Sequence, residues 1–188
     1  MTLILVTGPA TEPLTLAEAK SWLRVDGTTE DGLIQSLITS ARLAVEAATN
    51  RLLIAQQWRW SFDAWPDAGF VFLPLTPVRA ISRIRVVDAL GGSVDVASSL
   101  YRLDAGLDRA RLGLGASLPQ PAAPGGSVWI DISAGYGDAT AVPEPLRLAM
   151  RQLVARWFAT RGDEEPGVPG LPASASALLA PYRVRRLA

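Results

Sequence analysis

The side chains that could begin any chemistry here are aspartates in three pairs: Asp63 with Asp67, Asp104 with Asp108, and Asp131 with Asp138. Two carboxylates at one site could divide the roles of acid and base, or hold Mg²⁺. Each pair, however, lies near turn residues, where aspartate is favoured for capping backbone N–H groups. No spacing singles out one pair over the others. The chain has no histidine and no cysteine. An imidazole base, a thiolate nucleophile, zinc sites of the usual kind and disulfides are therefore excluded together. The GLG at 113–115 lacks the third glycine and the strand-to-helix setting of a dinucleotide loop, and reads as a strand end. The sequence thus gives no catalytic residue, no metal site and no cofactor.

Charge is the next resource. Lys plus Arg and Asp plus Glu are each 18, so no net charge drives the chain onto nucleic acid. Lys20 is the only lysine. Arg79, Arg83 and Arg85 cluster on one predicted strand, and Arg183, Arg185 and Arg186 at the C-terminal end. Either group has the chemistry for phosphate contacts. A DNA-binding accessory or regulatory module using these clusters is the alternative reading, but acids interleave the first group and suit a solvated strand face. Of the six tryptophans, Trp22 and Trp157 fall at core-facing helix positions and Trp129 in an apolar strand-like run, so core packing is expected of all three. Trp58, Trp60 and Trp65 either join sheet to helices or face a partner.

The end of the chain, ALLAPYRVRRLA, follows a Pro-, Gly-, Ala- and Ser-rich stretch without period. Leu178, Leu179, Pro181, Tyr182, Arg183, Arg185 and Arg186 together fit a docking peptide, with apolar anchors for a pocket and arginines for surrounding carboxylates. Burying its three large side chains offers roughly 1.5–3 kcal/mol each before ordering costs. One such tail binds weakly; many acting together bind strongly.

These groups need elements to place them. Nearly half the residues are apolar, enough for a core. MTLILVTGPATEP has a short apolar run without a basic flank, so a soluble cytoplasmic protein with an extended lead-in over 1–14 is expected. PLTLAEAKSWLRV predicts a short helix opened by a Thr15–Glu18 capping box and ending near Val25. The spacing of Leu33, Ile34, Leu37, Ile38, Ala41, Val45 and Ala48 predicts a long helix over 29–49, capped by Thr28 or Thr29. From Ala55 the period shortens. QQWRWSF, GFVFLPL, AISRIRVVD, SSLYRLD, ARLGLG and GGSVWIDISA predict about six short strands, a β module over 55–142. Helix returns over 144–161, with Pro145 in its first turn, Gly162 as its stop, and Leu146, Ala149, Met150, Leu153, Val154, Trp157 and Phe158 on one face. The fold class is α+β: a helical core (15–54 and 143–162), an inserted antiparallel β module, and an extended tail over 163–188.

In order and spacing, EPLTLAEAKSWLRVDGTTEDGLIQSLITSARLAVEAATNRLL, LPLTPVRAISRI, VPEPLRLAMRQLVARWF and LLAPYRVRR resemble the head–tail connector (adaptor) proteins of long-tailed phages and phage-derived gene transfer agents. The resemblance covers almost the whole chain from Glu12. It implies a structural protein without catalytic residues, assembled in the bacterial cytoplasm into the head–tail junction of a particle as a ring of roughly twelve copies beneath the portal. Its implied partners are the portal protein, a tail-side stopper or connector, further copies of itself, and double-stranded DNA passing through the lumen without sequence readout; no membrane is implied. Leu178, Leu179, Pro181, Tyr182, Arg183, Arg185 and Arg186 would dock on the portal. The linker from Gly162 to Ala177 would supply a reach of about 50 Å if fully extended. Leu33, Ile34, Leu37, Ile38, Val45, Leu153 and Trp157 would pack within and between subunits.

Overall fold

The computed structural model describes residues 1–106, 109–122, 124–160 and 171–183. Asp108, Arg161, Gly162, Arg185 and Arg186 lie outside them. The chain divides into two units. One holds Met1–Ala10 and Ala55–Tyr136; the other holds Thr11–Ile54 and the chain from Gly137 onward.

The β unit contains β1 (Thr2–Thr7), β2 (Gln56–Phe62), β3 (Phe70–Phe72), β4 (Val78–Val87), β5 (Ser93–Asp95), β6 (Tyr101–Asp104), β7 (Arg111–Leu114) and β8 (Ser127–Ala134). Its larger sheet runs β1-β2-β8-β4-β5, and a smaller one runs β3-β7-β6. All pairings within these sheets are antiparallel. The central strand β8 shows why: Val128, Ile130, Ile132 and Ala134 are fully buried, while Ser127, Trp129, Asp131 and Ser133 alternate on the other face. Strand β4 breaks the same rhythm. Its register shifts between Val78 and Ala80 and again between Ile81 and Arg83, and such irregularities let Ile84 and Val86 reach the buried face. That is the physical reason for the imperfect alternation in AISRIRVVD.

Two strands in this unit were not among those predicted. The lead-in is strand β1, paired with β2 from Thr2 opposite Ser61 to Thr7 opposite Gln57. After the 91–93 turn, Ser93–Asp95 returns along β4. Both are edges whose partners carry the sheet, so their own side chains give little periodic signal.

The helical unit contains α1 (Leu16–Leu23), α2 (Asp31–Thr49), α3 (Glu144–Thr160) and α4 (Ala173–Leu179). The expected capping box opens α1: the Glu18 N–H donates to Thr15 Oγ1, and the Thr15 N–H donates to Glu18 Oε2 at 2.9 Å. Helix α2 starts differently from the expectation. Its N-cap is Glu30, without a side-chain cap, and Thr28 contributes a backbone carbonyl to the Asp31 N–H at 3.2 Å. Ile34, Ile38, Ala41 and Val45 from α2, and Leu146, Ala149, Met150, Leu153 and Val154 from α3, are buried as their spacing predicts. Both helices end in sequences that leave the αL residue outside: Arg24 after α1 and Asn50 after α2.

The described part of the tail is not extended chain. Ala173–Leu179 is helix and Ala180–Tyr182 a 3₁₀ turn. ASASALL is rich in alanine and leucine, the strongest helix formers, and Pro172 sits at its N-cap. Its small residues allow close approach to α3, on which α4 packs. Among the described residues, no helix is long and apolar enough to cross a membrane.

Candidate functional site

The docking residues expected at the C-terminus divide by burial. Leu179 is fully buried, as is Ala175, one turn earlier on the same face of α4. Leu178 and Tyr182 are half-buried; Pro181 and Arg183 are exposed. The Tyr182 carbonyl accepts a hydrogen bond from Arg51 Nε at 2.6 Å, so the 3₁₀ turn is tied to the residue that follows the αL close of α2. Leu179 therefore anchors the segment onto its own unit. Leu178, Pro181, Tyr182 and Arg183 form the side that a partner can reach. With Ala173–Leu179 coiled, the reach of 162–177 shortens, because a helix rises about 1.5 Å per residue against about 3.3 Å extended.

Ion pairs staple this unit across long sequence separations. Arg42 is buried and bridges Glu12 at 2.8 Å and Glu46 at 3.0 Å. Burial pushes the Glu46 carboxyl above its ordinary value, opposed by the Leu53 N–H and by Arg42. Arg147 reaches Glu18 at 2.5 Å and also donates to the Pro13 carbonyl. The Thr15 backbone N–H, with smaller help from the Thr15 hydroxyl and Arg147, holds Glu18 below its ordinary value despite partial burial. Lys20 pairs with Asp31 at 2.6 Å, joining α1 to the start of α2.

The residues expected to pack subunits also divide. Ile34, Ile38, Val45 and Leu153 are core of the unit; Leu33, Leu37 and Trp157 are half-buried. Leu43, which the periodic reading passed over, is 54% exposed. Trp22 corrects an expectation: it is 48% exposed, not core. Leu16, Ala19, Lys20 and Leu23 occupy the inward side of α1, and Trp22 falls off that stripe. It lines a shallow depression with Ala17, Glu18, Ser21, Arg24 and Arg151.

The β unit holds the other charged surface. Asp131 receives Arg59 at 2.6 Å and Arg85 at 3.4 Å, and both guanidiniums lie over the Trp129 ring. Trp129 is thus half-buried on the polar face, opposite the core side assigned to it from its apolar run. The Asp131 carboxylate holds Arg59 protonated more firmly than an isolated arginine. Arg83 pairs with Asp95 at 2.7 Å through two parallel bonds, which lowers the Asp95 pKa. Arg79 donates to the Tyr136 carbonyl. The strand arginines Arg79, Arg83 and Arg85 are thereby engaged within the fold. Trp60 is buried edge-on to Phe62, and Trp65 donates to the Pro119 carbonyl, so both serve the β unit itself.

The aspartates whose partners are described serve the fold. Asp131 is an arginine partner, Asp138 caps the 3₁₀ turn at Ala139–Ala141, and Asp104 faces Arg111 at 3.9 Å. Among the described residues there is no cluster of metal-ligating side chains.

Charge-stapled helices and an antiparallel β unit, with apolar and arginine groups left at the surface among the described residues, suit a protein that works by contact with partners. The model of the phage gp6-like head–tail connector family matches residues 13–84. A chain from the neck of an empty GTA particle computed with C6 symmetry is 30% identical, with a TM-score of 0.84 over 100% of this chain and 98% of that one. A chain from the virion of a native gene transfer agent (GTA) particle is 32% identical, with the same TM-score and coverage. A third, from the neck of a native GTA particle computed with C12 symmetry, is 29% identical at a TM-score of 0.81. No curated protein matches by sequence. The chain belongs to the head–tail connector (adaptor) family of long-tailed phages and gene transfer agents, and it is a structural protein, not an enzyme.

Proposed function

We propose that this connector works at the head–tail junction as a ring of about twelve copies beneath the portal, prolonging the DNA channel and offering a platform to the next tail component. The observation that carries the reading is the end-to-end likeness to chains of gene transfer agent necks, one computed with twelvefold symmetry. DNA would pass without sequence readout, which fits strand arginines already satisfied by Asp95, Asp131 and a backbone carbonyl.

The C-terminal segment would dock on the portal. Leu178, Pro181, Tyr182 and Arg183 would make contact together with Arg185 and Arg186, while Leu179 fixes the segment to the subunit. Leu33, Leu37, Leu43 and Trp157 offer apolar surface for neighbours beyond the core formed by Ile34, Ile38, Val45 and Leu153.

Capture of the portal protein from the same gene cluster tests the docking. Three forms would be compared: the full chain, a chain ending at Tyr182, and the Arg183→Glu variant. Ending at Tyr182 keeps buried Leu179 and so spares the fold. Binding by the full chain and its loss in the other two is the expected result. Equal binding by all three would refute the tail assignment, and no binding by any would refute the portal partnership.

A further inference from the structure

The larger sheet ends on β1, and among the described residues no strand pairs with its outer edge. All six residues of β1 are exposed, with Ile4 and Val6 at 53%, Leu5 at 46% and Leu3 at 36%. Folded proteins blunt such edges with charges or prolines, because free N–H and C=O groups beside apolar side chains invite another strand. TLILVT has neither charge nor proline. Its register irregularity is confined to Leu5–Thr7, which leaves Thr2–Leu5 regular.

The opposite margin of the sheet also exposes apolar side chains. Val94 of β5 is 61% exposed, and Leu90, in the turn before it, is 97% exposed. Val94 lies opposite Val86, which lies opposite Val128, and both of those are buried. Val94 therefore continues the buried face outward. Leu3 lies opposite buried Trp60 and so continues that face at the β1 margin. The apolar layer of one sheet runs into solvent at both ends. Asp95, beside Val94, is paired with Arg83.

A closed ring of identical copies needs two unlike patches on each copy that fit one another. We propose that the β1 edge of each copy receives the β4–β5 hairpin of the next, so that the apolar face continues from subunit to subunit. The proposal rests on the ring reading above and names the surface that builds the ring. Strands β1 and β5 run in the same direction, since four antiparallel pairings separate them. Neighbouring edges related by a rotation about an axis along the strands would thus meet parallel. With only three residues in β5, side-chain contact of Leu90 and Val94 with Leu3 and Leu5 carries more of this junction than backbone bonds do.

The chain lacks cysteine, so introduced thiols are unique within it. Particles would be assembled with Leu5→Cys, Val94→Cys, or both, and treated with a short bismaleimide. Denaturing gels would then be probed for this chain. The expected result is a ladder of covalent multimers from the double variant and only monomer from either single one. Dimers from Leu5→Cys alone would mean a β1-to-β1 contact and overturn the proposal. Particles that contain the double variant but give no ladder would overturn it too, while leaving the ring reading intact. Absence of even the unaltered chain from particles would remove the ring reading, and this proposal with it.

Discussion

The two units use charge in opposite ways. In the helical unit, ion pairs join segments far apart in the sequence: Arg42 to Glu12, Arg147 to Glu18, Lys20 to Asp31. In the β unit they lie across one face of a sheet, in the Arg59–Asp131–Arg85 group and the Arg83–Asp95 pair. The first arrangement closes a bundle on itself. The second covers a face and leaves both sheet margins apolar and open. The difference separates the two proposed contacts: the bundle would meet the portal through its C-terminal segment, and the sheet would meet its neighbours through its edges.

The largest expected effect comes from removing a staple. Arg42→Ala strands Glu46 and Glu12 without their shared cation, and losing one partner of a buried pair costs about 3–5 kcal/mol. Denaturant unfolding would measure it, and a loss below about 1 kcal/mol, the range of exposed pairs, would dissolve the contrast between units. Next comes Leu179→Ala. A fully buried leucine replaced by alanine costs about 2–5 kcal/mol, whereas a leucine on a free tail costs nothing. The same unfolding curves decide between those outcomes.

Thr15→Ala removes one half of the capping box and should cost about 1 kcal/mol. An unchanged midpoint would show that the residue-15 backbone N–H and Arg147 hold Glu18 without the hydroxyl. A weaker signature lies in the pH dependence. Glu46 is raised by burial, so the folded state binds its proton more tightly than the unfolded chain does. Its contribution to stability is then greatest at low pH and is lost as pH rises through the window between the ordinary and the raised value. Glu18 is lowered and acts oppositely: its contribution is present above the ordinary value and is lost as pH falls below it. The stability of Glu46→Gln relative to the unaltered chain should therefore increase as pH rises through the Glu46 window. A flat difference would contradict the burial argument. Smallest of all is Arg83→Ala, which breaks a solvent-exposed pair and should leave the unfolding midpoint unchanged.

Much of this fold could be read from local pattern. Thr15 and Glu18 announce a helix start by three-residue spacing, and the periodic leucines and isoleucines of α2 and α3 point to one face. SVWIDISA alternates cleanly because β8 lies at the sheet centre with a partner on each side. Where position depended on distant partners, the signal failed. β1 takes its identity from pairing with residues fifty or more positions away, and its own side chains stay exposed. Trp129 follows the alternation of β8 to the polar face, where two arginines cover it; the apolar character of its neighbours hid that. Trp22 sits one position off the inward stripe of an eight-residue helix. α4 is made of small residues that resemble linker composition until α3 supplies a surface for Leu179. The composition of the C-terminal segment suggested docking chemistry, but its attachment to the bundle was not legible, because one leucine of the set faces inward.

The central claim, a connector present as a ring in particles, is tested most directly by counting. Purified particles would be analysed by mass spectrometry against isotope-labelled peptides of this chain, with the major capsid protein as the reference for particle number. The account predicts about twelve copies per particle, the number set by the symmetry of the related neck. Absence of the chain, or one or two copies per particle, would contradict it.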